Sequence, residues 1–568
     1  MNYDAEVITT DVLIIGGGSA GLWAAKRFSE AAPERSALIV DKGPKDWGGL
    51  MTMAGGDFDA VLPGEDVDAW VQDLVYYFDG LCNQSDMEEI LRRSGDRLRD
   101  YQKFGCEFFT KADGTLQSVP QRGLDHVRLY PAKLKGRGGE LMVKNLVKQL
   151  KDQKVGRLGR IQITELLRHG ERIAGAVGFD TLSGKFYVFH AQAVILATGM
   201  GGWKTSYGKN TPTGEGVALG YGAGARLMHF EFGRVWNMPR YFGWEGQTTL
   251  MPLGGRFINA LGESFMDKYS PILGANTDPH YTTIAMAMEI RAGRGPIYFD
   301  LSRINPADTV LLRPQNGWQK LNYDKLSALG MDLFRDNTEW VPQMTVSYGG
   351  IDADIYGRTG VPGLFAAGTA CATEPGVYAG GFALMTTSVT GHLAGEGAAA
   401  FLQGADSLPS TGQEAEIARL RTEAFKPLGQ QGLKPKEVVT CIQRAMFPYD
   451  VSILKTENAL LHALREIQRI RTEDVPRMAA ADPHYLMKLR EADAMAFVSE
   501  LYLRASLARQ ETRAGHYRED FPQRKGEPRW LLWSKGAEGK PVATWKTVPL
   551  ESYKHPVTRY YQDNFRFA

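Results

Sequence analysis

The chain has 568 residues, of which 66 are basic and 65 acidic, so its formal net charge is +1. This length is too great for one hydrophobic core and predicts two to four domains, while 43% hydrophobic and 23% charged residues are ordinary for a globular protein. The charge balance gives no electrostatic reason to expect nucleic acid or an anionic membrane as a partner.

The four cysteines are too far apart to form a ligand pair: Cys82, Cys106, Cys371 and Cys441. Without a C-x-x-C pair we expect no iron–sulfur cluster and no metal site in this chain. A disulfide framework is not expected either. The first residues, MNYDAEVITT, lack the features of a signal peptide, and the apolar stretch that follows is too short to span a bilayer. The sequence therefore predicts a cytoplasmic protein without a transmembrane segment.

The N-terminal stretch DVLIIGGGSAGLWAAKRF has the features of a dinucleotide-binding unit. The apolar run 12–15 predicts a buried parallel strand, the glycines that follow spell G-x-G-x-x-G, and the apolar spacing after them predicts a helix. A second strand, 37–40, ends at Asp41, 20 positions after the last of these glycines. Strand, glycine turn, helix, strand and acid together predict a βαβ unit that binds the pyrophosphate at the helix N-terminus and a ribose through Asp41.

This unit alone does not separate FAD from NAD. Its place at the start of the chain is typical of flavoproteins that bind FAD first. Two further buried runs, 193–199 and 363–370, predict strands that return to the same sheet, and no second G-x-G-x-x-G follows a strand. A chain that bound FAD and NAD(P)H on separate folds would show two such motifs. We therefore expect FAD as the nucleotide cofactor.

Several motifs together resemble the flavoprotein subunits of the superfamily that includes fumarate reductase, succinate dehydrogenase, aspartate oxidase and adenylylsulfate reductase. They are GGGSAG at Gly16, MAGGD at Met53, AVILATGMGG at Ala193, TPTGEGVALGYGAGA at Thr211, GESFMDKY at Gly262, GLFAAGTA at Gly363, AGGFAL at Ala379 and ETRAGHYREDFP at Glu511. The stretches that begin at Ile173 and Gly295 are most similar to adenylylsulfate reductase alpha subunits.

The resemblance implies an α/β fold with a Rossmann-like FAD-binding domain, an inserted α+β capping domain and a C-terminal helical domain. The expected boundaries are 1–230 and 346–405 for the FAD-binding domain, 231–345 for the capping domain, 406–510 for the helical domain and 511–568 for the tail. Helical spacing of leucine and isoleucine after Glu457 supports the helical domain independently.

The resemblance also assigns a set of cofactor-binding residues to this chain. They are Gly16, Gly18, Gly21, Asp41, Lys42, Gly49, Thr52, Gly55, Gly56, Thr198, Gly199, Glu215, Gly368, Thr369, Gly380, Gly381, Ala383 and Leu384. Gly380 and Gly381 start a helix whose N–H groups are expected to stabilise negative charge on the flavin. Two positions depart from the family pattern. Gly49 replaces the histidine that links FAD covalently in some members, so FAD is expected to be non-covalent. Thr369 replaces an acid, which weakens one expected ribityl contact.

The substrate-binding cations of the dicarboxylate enzymes are missing from the matching positions. Aligned on flanking glycines, the proton-shuttling arginine falls on Met251, a histidine on Thr345 and a second arginine on Tyr378. Two carboxylates need such charge partners. We therefore expect a substrate other than succinate, fumarate or aspartate, in a more aromatic and less cationic pocket.

The predicted pocket residues are Trp236, Arg240, Tyr241, Trp244, Met251, Thr345 and Tyr378, and four of them are the catalytic candidates: Tyr378, Arg240, Thr345 and Met251. Arg240 is a match for the active-site arginine of adenylylsulfate reductase, or it forms a structural ion pair. The aromatic residues line the pocket, or they are ordinary core.

Two hypotheses for the function remain open. In the first, an FAD-dependent oxidoreductase transfers a hydride between flavin N5 and a small organic substrate. Its electrons are exchanged with a ferredoxin-like iron–sulfur subunit, as in adenylylsulfate reductase, or with another acceptor. In the second, the chain is a flavin-binding scaffold subunit that has lost its catalytic residues. The oligomeric state is left open.

Overall fold

The computed structural model describes residues 5–133, 138–151, 153–205, 210–241, 250–251, 253–305, 317–408 and 413–566. The strands are β1 Ala5–Ile15, β2 Ala37–Val40, β3 Phe58–Asp59, β4 Val119–Pro120, β5 Arg128–Tyr130, β6 Val155–Leu158, β7 Ile161–His169, β8 Arg172–Asp180, β9 Phe186–Leu196, β10 Leu227–Met228, β11 Gly233–Pro239, β12 Arg256–Ile258, β13 Ile297–Asp300, β14 Thr338–Ser347, β15 Gly350–Ile351, β16 Leu364–Ala366, β17 Arg529–Lys535 and β18 Pro541–Thr547.

The helices are α1 Ser19–Ala31, α2 Val67–Tyr77, α3 Gln84–Lys103, α4 Gly138–Gln149, α5 Glu215–Gly222, α6 Met266–Tyr269, α7 Pro279–Glu289, α8 Gly317–Ala328, α9 Phe382–Gly404, α10 Glu414–Phe425, α11 Pro435–Met446, α12 Tyr449–Ser452, α13 Glu457–Arg469 and α14 Pro483–Ala508.

The main sheet has seven strands in the order β6-β2-β1-β9-β8-β7, with β16 also paired to β9. Strand β1 runs parallel to both neighbours, so that Val12 lies beside Ala37 on β2 and Ala193 on β9. Val12, Leu13 and their neighbours are buried on both faces of the sheet. This burial explains why these strands are apolar runs rather than alternating patterns. The predicted βαβ unit and the two returning strands are all present.

The segment expected to form the cap contains its own antiparallel sheet, in the order β11-β14-β13-β12. Strand β11 pairs with β14 along its length, from Gly233 opposite Ser347 to Pro239 opposite Trp340. Helix α7 lies between β12 and β13 in the chain and is buried at every position. This sheet and helix bring distant segments against the crevice described below.

The C-terminal part is helical and then returns to the first domain. Helix α13 buries Leu460, Ala463 and Ile467 at helical spacing and packs with α14, whereas Leu461 is 40% exposed. Beyond the helices, β17 and β18 form a hairpin, and β17 pairs with β10. The tail is therefore part of a sheet rather than a loose extension. Within the described ranges, no helix combines the length and apolar character needed to cross a membrane.

Candidate active site

A crevice lies at the carboxyl ends of four parallel strands. Strand β1 ends before Gly16, β2 before Asp41, β9 before the turn that holds Thr198 and Gly199, and β16 before the turn that holds Gly368. Because parallel strands present these ends at one edge, the predicted cofactor residues that are distant in sequence meet here. Gly16 has a φ of 112°, and a methyl at this position would lie 2.3 Å from the carbonyl oxygen of Ala197. The crevice therefore requires glycine at this turn.

Two helices direct their N-termini into the crevice. Helix α1 is preceded by Gly18 and α9 by Gly381, and within the described part of the chain neither has a side-chain cap or an acid in its first turn. Such ends offer unpaired N–H groups and a partial positive charge. They fit a dinucleotide diphosphate and an electron-rich ring, which is the chemistry of FAD.

The glycine at the second helix lies against a buried acid that sequence reasoning missed. A methyl on Gly381 would lie 2.8 Å from Oδ1 of Asp59. Asp59 is fully buried, and burial raises its pKa well above the usual value, although a hydrogen bond from Gln121 opposes the shift. Gln121 Nε2 donates to Oδ1 at 3.0 Å and also to the carbonyl of Gly380. The N-terminus of α9, which carries a partial positive charge, therefore lies close to both the crevice and the carboxyl group of Asp59.

Asp41 holds the backbone of two glycine turns. Its Oδ2 accepts the N–H of Gly17 at 2.6 Å, and its Oδ1 accepts the N–H of Gly43 at the same distance. Burial raises the pKa of Asp41, while these two amides oppose the rise. Asp41 therefore shapes the cradle, and its contact with a ribose stays a prediction.

Lys42 and Glu215, both predicted to bind the cofactor, are bonded to each other. Lys42 Nζ donates to Glu215 Oε1 at 2.6 Å and to Glu491 Oε1 at 2.9 Å. Burial lowers the pKa of Lys42, but the two carboxylates outweigh this and raise it. Glu491 lies on α14, so this cluster joins the crevice to the helical domain and its charges are already paired.

Tyr378 lies between the crevice and the cap sheet, two residues before Gly380. Its ring contacts Trp236 edge-on, with centroids 4.7 Å apart. The guanidinium carbon of Arg234 lies 3.6 Å from the Tyr378 ring centroid and 4.9 Å from that of Trp236. Cation–π contacts of this kind stabilise both the arginine and the rings. Trp236 and Tyr378 therefore form an aromatic cluster that includes a buried cation, and its role as the substrate pocket stays a prediction.

Several buried polar atoms near this cluster have no hydrogen-bond partner among the described residues. They include Nε1 of Trp236, the hydroxyl of Tyr348 and both ring nitrogens of His280. Each of these side chains is at most 5% exposed. The Tyr348 and His280 rings lie 5.9 Å apart, and Arg234 and Tyr378 are close enough to Tyr348 to influence its pKa. Since buried polar groups are rarely left unpaired, these atoms fit hydrogen bonds to a bound polar molecule.

Arg240, a predicted catalytic residue, does not line this pocket. It follows the last residue of β11, its side chain is 63% exposed, and Nη1 pairs with Glu339 at 2.6 Å. The prediction of a catalytic role is corrected, because a solvated and neutralised guanidinium offers little to a buried anion. The alternative that it forms a structural ion pair is the one observed.

The other pocket candidates are distributed as follows. Thr345 is fully buried, but its hydroxyl donates to the carbonyl of Arg234 at 3.1 Å, so it shapes β11 rather than meeting a substrate. Met251 is packed in the hydrophobic core. These two are also corrected as catalytic groups, since both side chains are committed to packing. Tyr241 is 49% exposed, and Trp244 lies outside the described residues.

Sequence analysis did not identify Arg234, Tyr348 and His280, because motifs matched by their flanking glycines do not indicate which side chains face one another in the fold. One signal was available: Arg234 and Trp236 are two apart on a strand and so share a face. His280 has no such signal, since it reaches the pocket only through the packing of α7. The described residues also contain no group of three or more His, Cys, Asp or Glu arranged to hold a metal ion.

The fold and the crevice define a flavoprotein. The family model described as FAD binding domain matches residues 11–389, and the one described as Fumarate reductase flavoprotein C-term matches residues 441–561. The chain belongs to this family of FAD-dependent oxidoreductases and binds FAD.

Among its relatives, a fumarate reductase (CoM/CoB) subunit of Methanothermobacter marburgensis is 30% identical over 554 residues, which cover 93% of this chain and 97% of that protein. The FrdA protein of E. coli quinol fumarate reductase superposes with a TM-score of 0.87 at 20% identity, covering 96% of this chain and 98% of FrdA. Adenylylsulfate reductase of Archaeoglobus fulgidus gives 0.80 at 21% identity, covering 96% of this chain and 97% of that protein. These two structures establish the fold alone.

Proposed function

We propose that the chain transfers a hydride between FAD and a small organic acid that carries one carboxylate on an unsaturated or aromatic body. The observation that carries the proposal is the position of Arg234, which is 7% exposed and lies over Tyr378 beside the Gly380–Gly381 turn. Bound FAD supplies a centre that accepts or donates a hydride with two electrons.

The protein's own residues bind and orient the acid. Arg234 is the cation that would hold the carboxylate, because a guanidinium offers several N–H donors in one plane. Tyr378, Trp236 and Tyr348 form walls that suit a flat substrate body and exclude water. The unpaired Tyr348 hydroxyl and Trp236 N–H would then find acceptors on the ligand.

A second buried arginine of this region is already engaged. Arg122 is also buried nearby, but it donates to the carbonyl of Thr277 at 3.2 Å and lies close to the carboxylate of Asp278. Its charge is therefore already offset. Met251, Thr345 and Tyr378 stand where dicarboxylate enzymes have charged or proton-carrying groups. This supports a substrate other than succinate, fumarate or aspartate.

We further propose that the electrons are exchanged with a separate partner, either a ferredoxin-like iron–sulfur subunit or another acceptor. The cysteine spacing and the single dinucleotide-binding motif support this. The Methanothermobacter relative is itself named as one subunit of its enzyme. Affinity purification from the native host, followed by mass spectrometry and iron analysis, tests the partner. Recovery of the chain without an electron carrier would count against it.

The function is tested by an anaerobic screen of the flavin spectrum. Aromatic and α,β-unsaturated monocarboxylic acids are added to the reduced protein, and their saturated counterparts to the oxidised protein. We expect at least one pair to change the flavin absorbance, and succinate, fumarate and aspartate to leave it unchanged. Reaction with any of these three, or with no monocarboxylic acid, would overturn the proposal.

A matched pair of arginine variants identifies the binding cation. Arg234→Gln should raise the dissociation constant of the acid about 10–150-fold, because hydrogen bonds to charged groups contribute roughly 1.5–3 kcal/mol. Arg240→Gln, just beyond the opposite and exposed end of the same strand, should leave it unchanged. Equal effects of the two substitutions would exclude Arg234 as the carboxylate-binding residue.

A further inference from the structure

The ring of the buried His280 forms no hydrogen bond with the residues that the structure describes. It is fully buried at the start of α7, and both Nδ1 and Nε2 lack a hydrogen bond among the described residues. Burying a polar ring without hydrogen bonds costs free energy of folding, unless a bound ligand supplies the missing partner. By contrast, the Nδ1 atom of the buried His516 lies 2.9 Å from Lys455 Nζ. The ring of His280 is therefore available to a bound molecule.

The helix start orients this ring. Asp278 caps α7, and its Oδ1 accepts the backbone N–H of His280 at 2.7 Å. The same oxygen lies 3.4 Å from His280 Nδ1, which is long for a hydrogen bond but directs this nitrogen toward the carboxylate. A proton on Nδ1 facing Asp278 leaves Nε2 as the nitrogen that can exchange a proton with a ligand. An aspartate beside a histidine is a common arrangement in general acid–base catalysis.

The carboxylate is itself held in place and connected to the pocket. The Tyr77 hydroxyl lies within hydrogen-bond distance of Asp278 Oδ2 and 2.6 Å from the carbonyl oxygen of Tyr378. The Tyr561 hydroxyl accepts the backbone N–H of Asp278 at 3.0 Å. Asp278 is therefore connected through one tyrosine to the loop that positions Tyr378, and it cannot turn away from His280 without breaking these bonds.

The C-terminal loop closes the other side of the ring. A methyl on Gly515 would lie 2.9 Å from Cδ2 of His280 and 2.0 Å from the carbonyl oxygen of Gly376. Only glycine lets this loop approach so closely. The ring is thus enclosed by α7, the Tyr378 loop and the tail, while Tyr348 lies beside it. Asp278 faces the ring, and Tyr77, Tyr561 and Arg122 are close to its carboxylate. Arg234, Glu374 and Tyr378 are close enough to the neighbouring Tyr348 to influence its pKa.

We propose that His280 is the proton donor and acceptor of this site, and this rests on the function proposed above. Because the ring lies beside the site where the acid binds, Nε2 is the atom that receives a proton when a negative charge enters the site. In substrate reduction the Nε2–H bond breaks and a C–H bond forms at one carbon; the hydride, with its two electrons, for the neighbouring carbon would come from the reduced flavin. In oxidation the proton returns to Nε2.

Proton uptake on ligand binding tests the assignment without turnover. Benzoate serves as the probe, and its binding to the FAD-loaded protein is measured by titration calorimetry at a pH above neutrality, in buffers of different ionisation enthalpy. We expect net proton uptake in the wild type, a greatly reduced uptake in His280→Gln, and wild-type uptake in the exposed-residue control His484→Gln. Binding without uptake, or uptake that persists in His280→Gln, would overturn the role of His280 and leave the proposed function intact.

Transfer kinetics provide the second measurement. With an acid that reacts in the anaerobic screen, His280→Gln should slow the change in flavin absorbance about 10²–10⁴-fold, with unchanged FAD content and a benzoate dissociation constant within a few fold of the wild type. If His280→Gln loses FAD, the same measurement is made on His280→Asn. A wild-type rate in either variant would refute the proposal. Failure of benzoate to bind to the wild-type protein would instead overturn the proposed function, and this assignment with it.

Discussion

The guanidinium carbon of Arg234 lies 3.6 Å from the ring centre of Tyr378, although the two residues belong to a cap strand and to a loop of the FAD-binding domain. This contact places a buried cation beside the Gly380–Gly381 turn, where alignment on the glycines indicated a pocket with few cations.

The contact predicts separate roles for the ring and the hydroxyl of Tyr378. Tyr378→Ala should weaken binding of the organic acid about 2–30-fold, because a cation–π contact of roughly 0.5–2 kcal/mol no longer holds Arg234 in place. Tyr378→Phe keeps the ring and should bind almost as the wild type, as measured by titration of the flavin absorbance. If Tyr378→Phe slows flavin reduction 10²-fold or more, the hydroxyl takes part in proton transfer as well.

Asp41 should be needed for FAD retention. Asp41→Ala removes the acceptor of the Gly17 and Gly43 amides and the predicted ribose partner, so the dissociation constant of FAD should rise by a factor that corresponds to about 1–3 kcal/mol. Fluorescence titration of the flavin-free protein measures this change. The matched variant Asp113→Ala, in an exposed turn, serves as the control, and an equal FAD affinity for both variants would contradict the assignment.

FAD should be bound without a covalent link. Gly49 has a φ of 74°, and a methyl at this position would lie 2.8 Å from the Cα of Gly18, so this turn has no room for a linking side chain. Acid precipitation should leave the yellow flavin in the supernatant. Flavin that stays with the washed pellet and its proteolytic peptides would show that the prediction is wrong.

Lys42 should stabilise the junction with the helical domain. Lys42→Met leaves Glu215 and Glu491 without a shared cation in a mostly buried site, which should cost about 2–4 kcal/mol, since Lys204 and Lys488 still reach Glu491. Thermal unfolding should show a lower Tm for Lys42→Met than for the exposed-residue control Lys426→Met. The double variant with Glu215→Gln should recover part of the loss, and a full loss in the double variant would argue against the pairing.

Asp79 should make stability depend on pH. It is fully buried, and burial raises its pKa from 3.8 to about 6, although the amides of Gln562 and Ala514 oppose the shift. Because the folded-state pKa lies above the unfolded value, the folded protein binds this proton more tightly. The stabilisation is complete below pH 3.8 and is lost as the pH rises through 6, a change of about 3 kcal/mol.

The Tm measured from pH 4 to pH 8 tests this contribution. Asp79→Asn cannot titrate, so its Tm should fall less steeply over the interval than that of the wild type. Asp113→Asn, which alters an exposed carboxyl group, should follow the wild-type curve. Parallel curves for the wild type and Asp79→Asn would mean that Asp79 does not contribute to the pH dependence.

The cofactor crevice follows from local sequence. The runs that form β1, β2 and β9, the glycine turns after them and Asp41 are features of short stretches, and each stretch requires its own conformation through burial or positive φ. Parallel pairing then brings the strand ends to one edge, so the sequence predicts the FAD-binding fold and the residues gathered there.

The residues of the proposed substrate pocket are brought together only by the tertiary structure. Arg234, His280 and Tyr378 come from β11, from the start of α7 and from the loop before α9, and no local pattern relates their positions. Their contacts depend on how the cap sheet and the tail pack against the crevice, which is a sum of many weak long-range contacts. The sequence by itself thus determined which cofactor this protein binds. Only packing decided that Arg234 rather than Arg240 faces the pocket, because the two lie at opposite ends of one strand: Arg234 is buried there, whereas Arg240 is exposed to solvent.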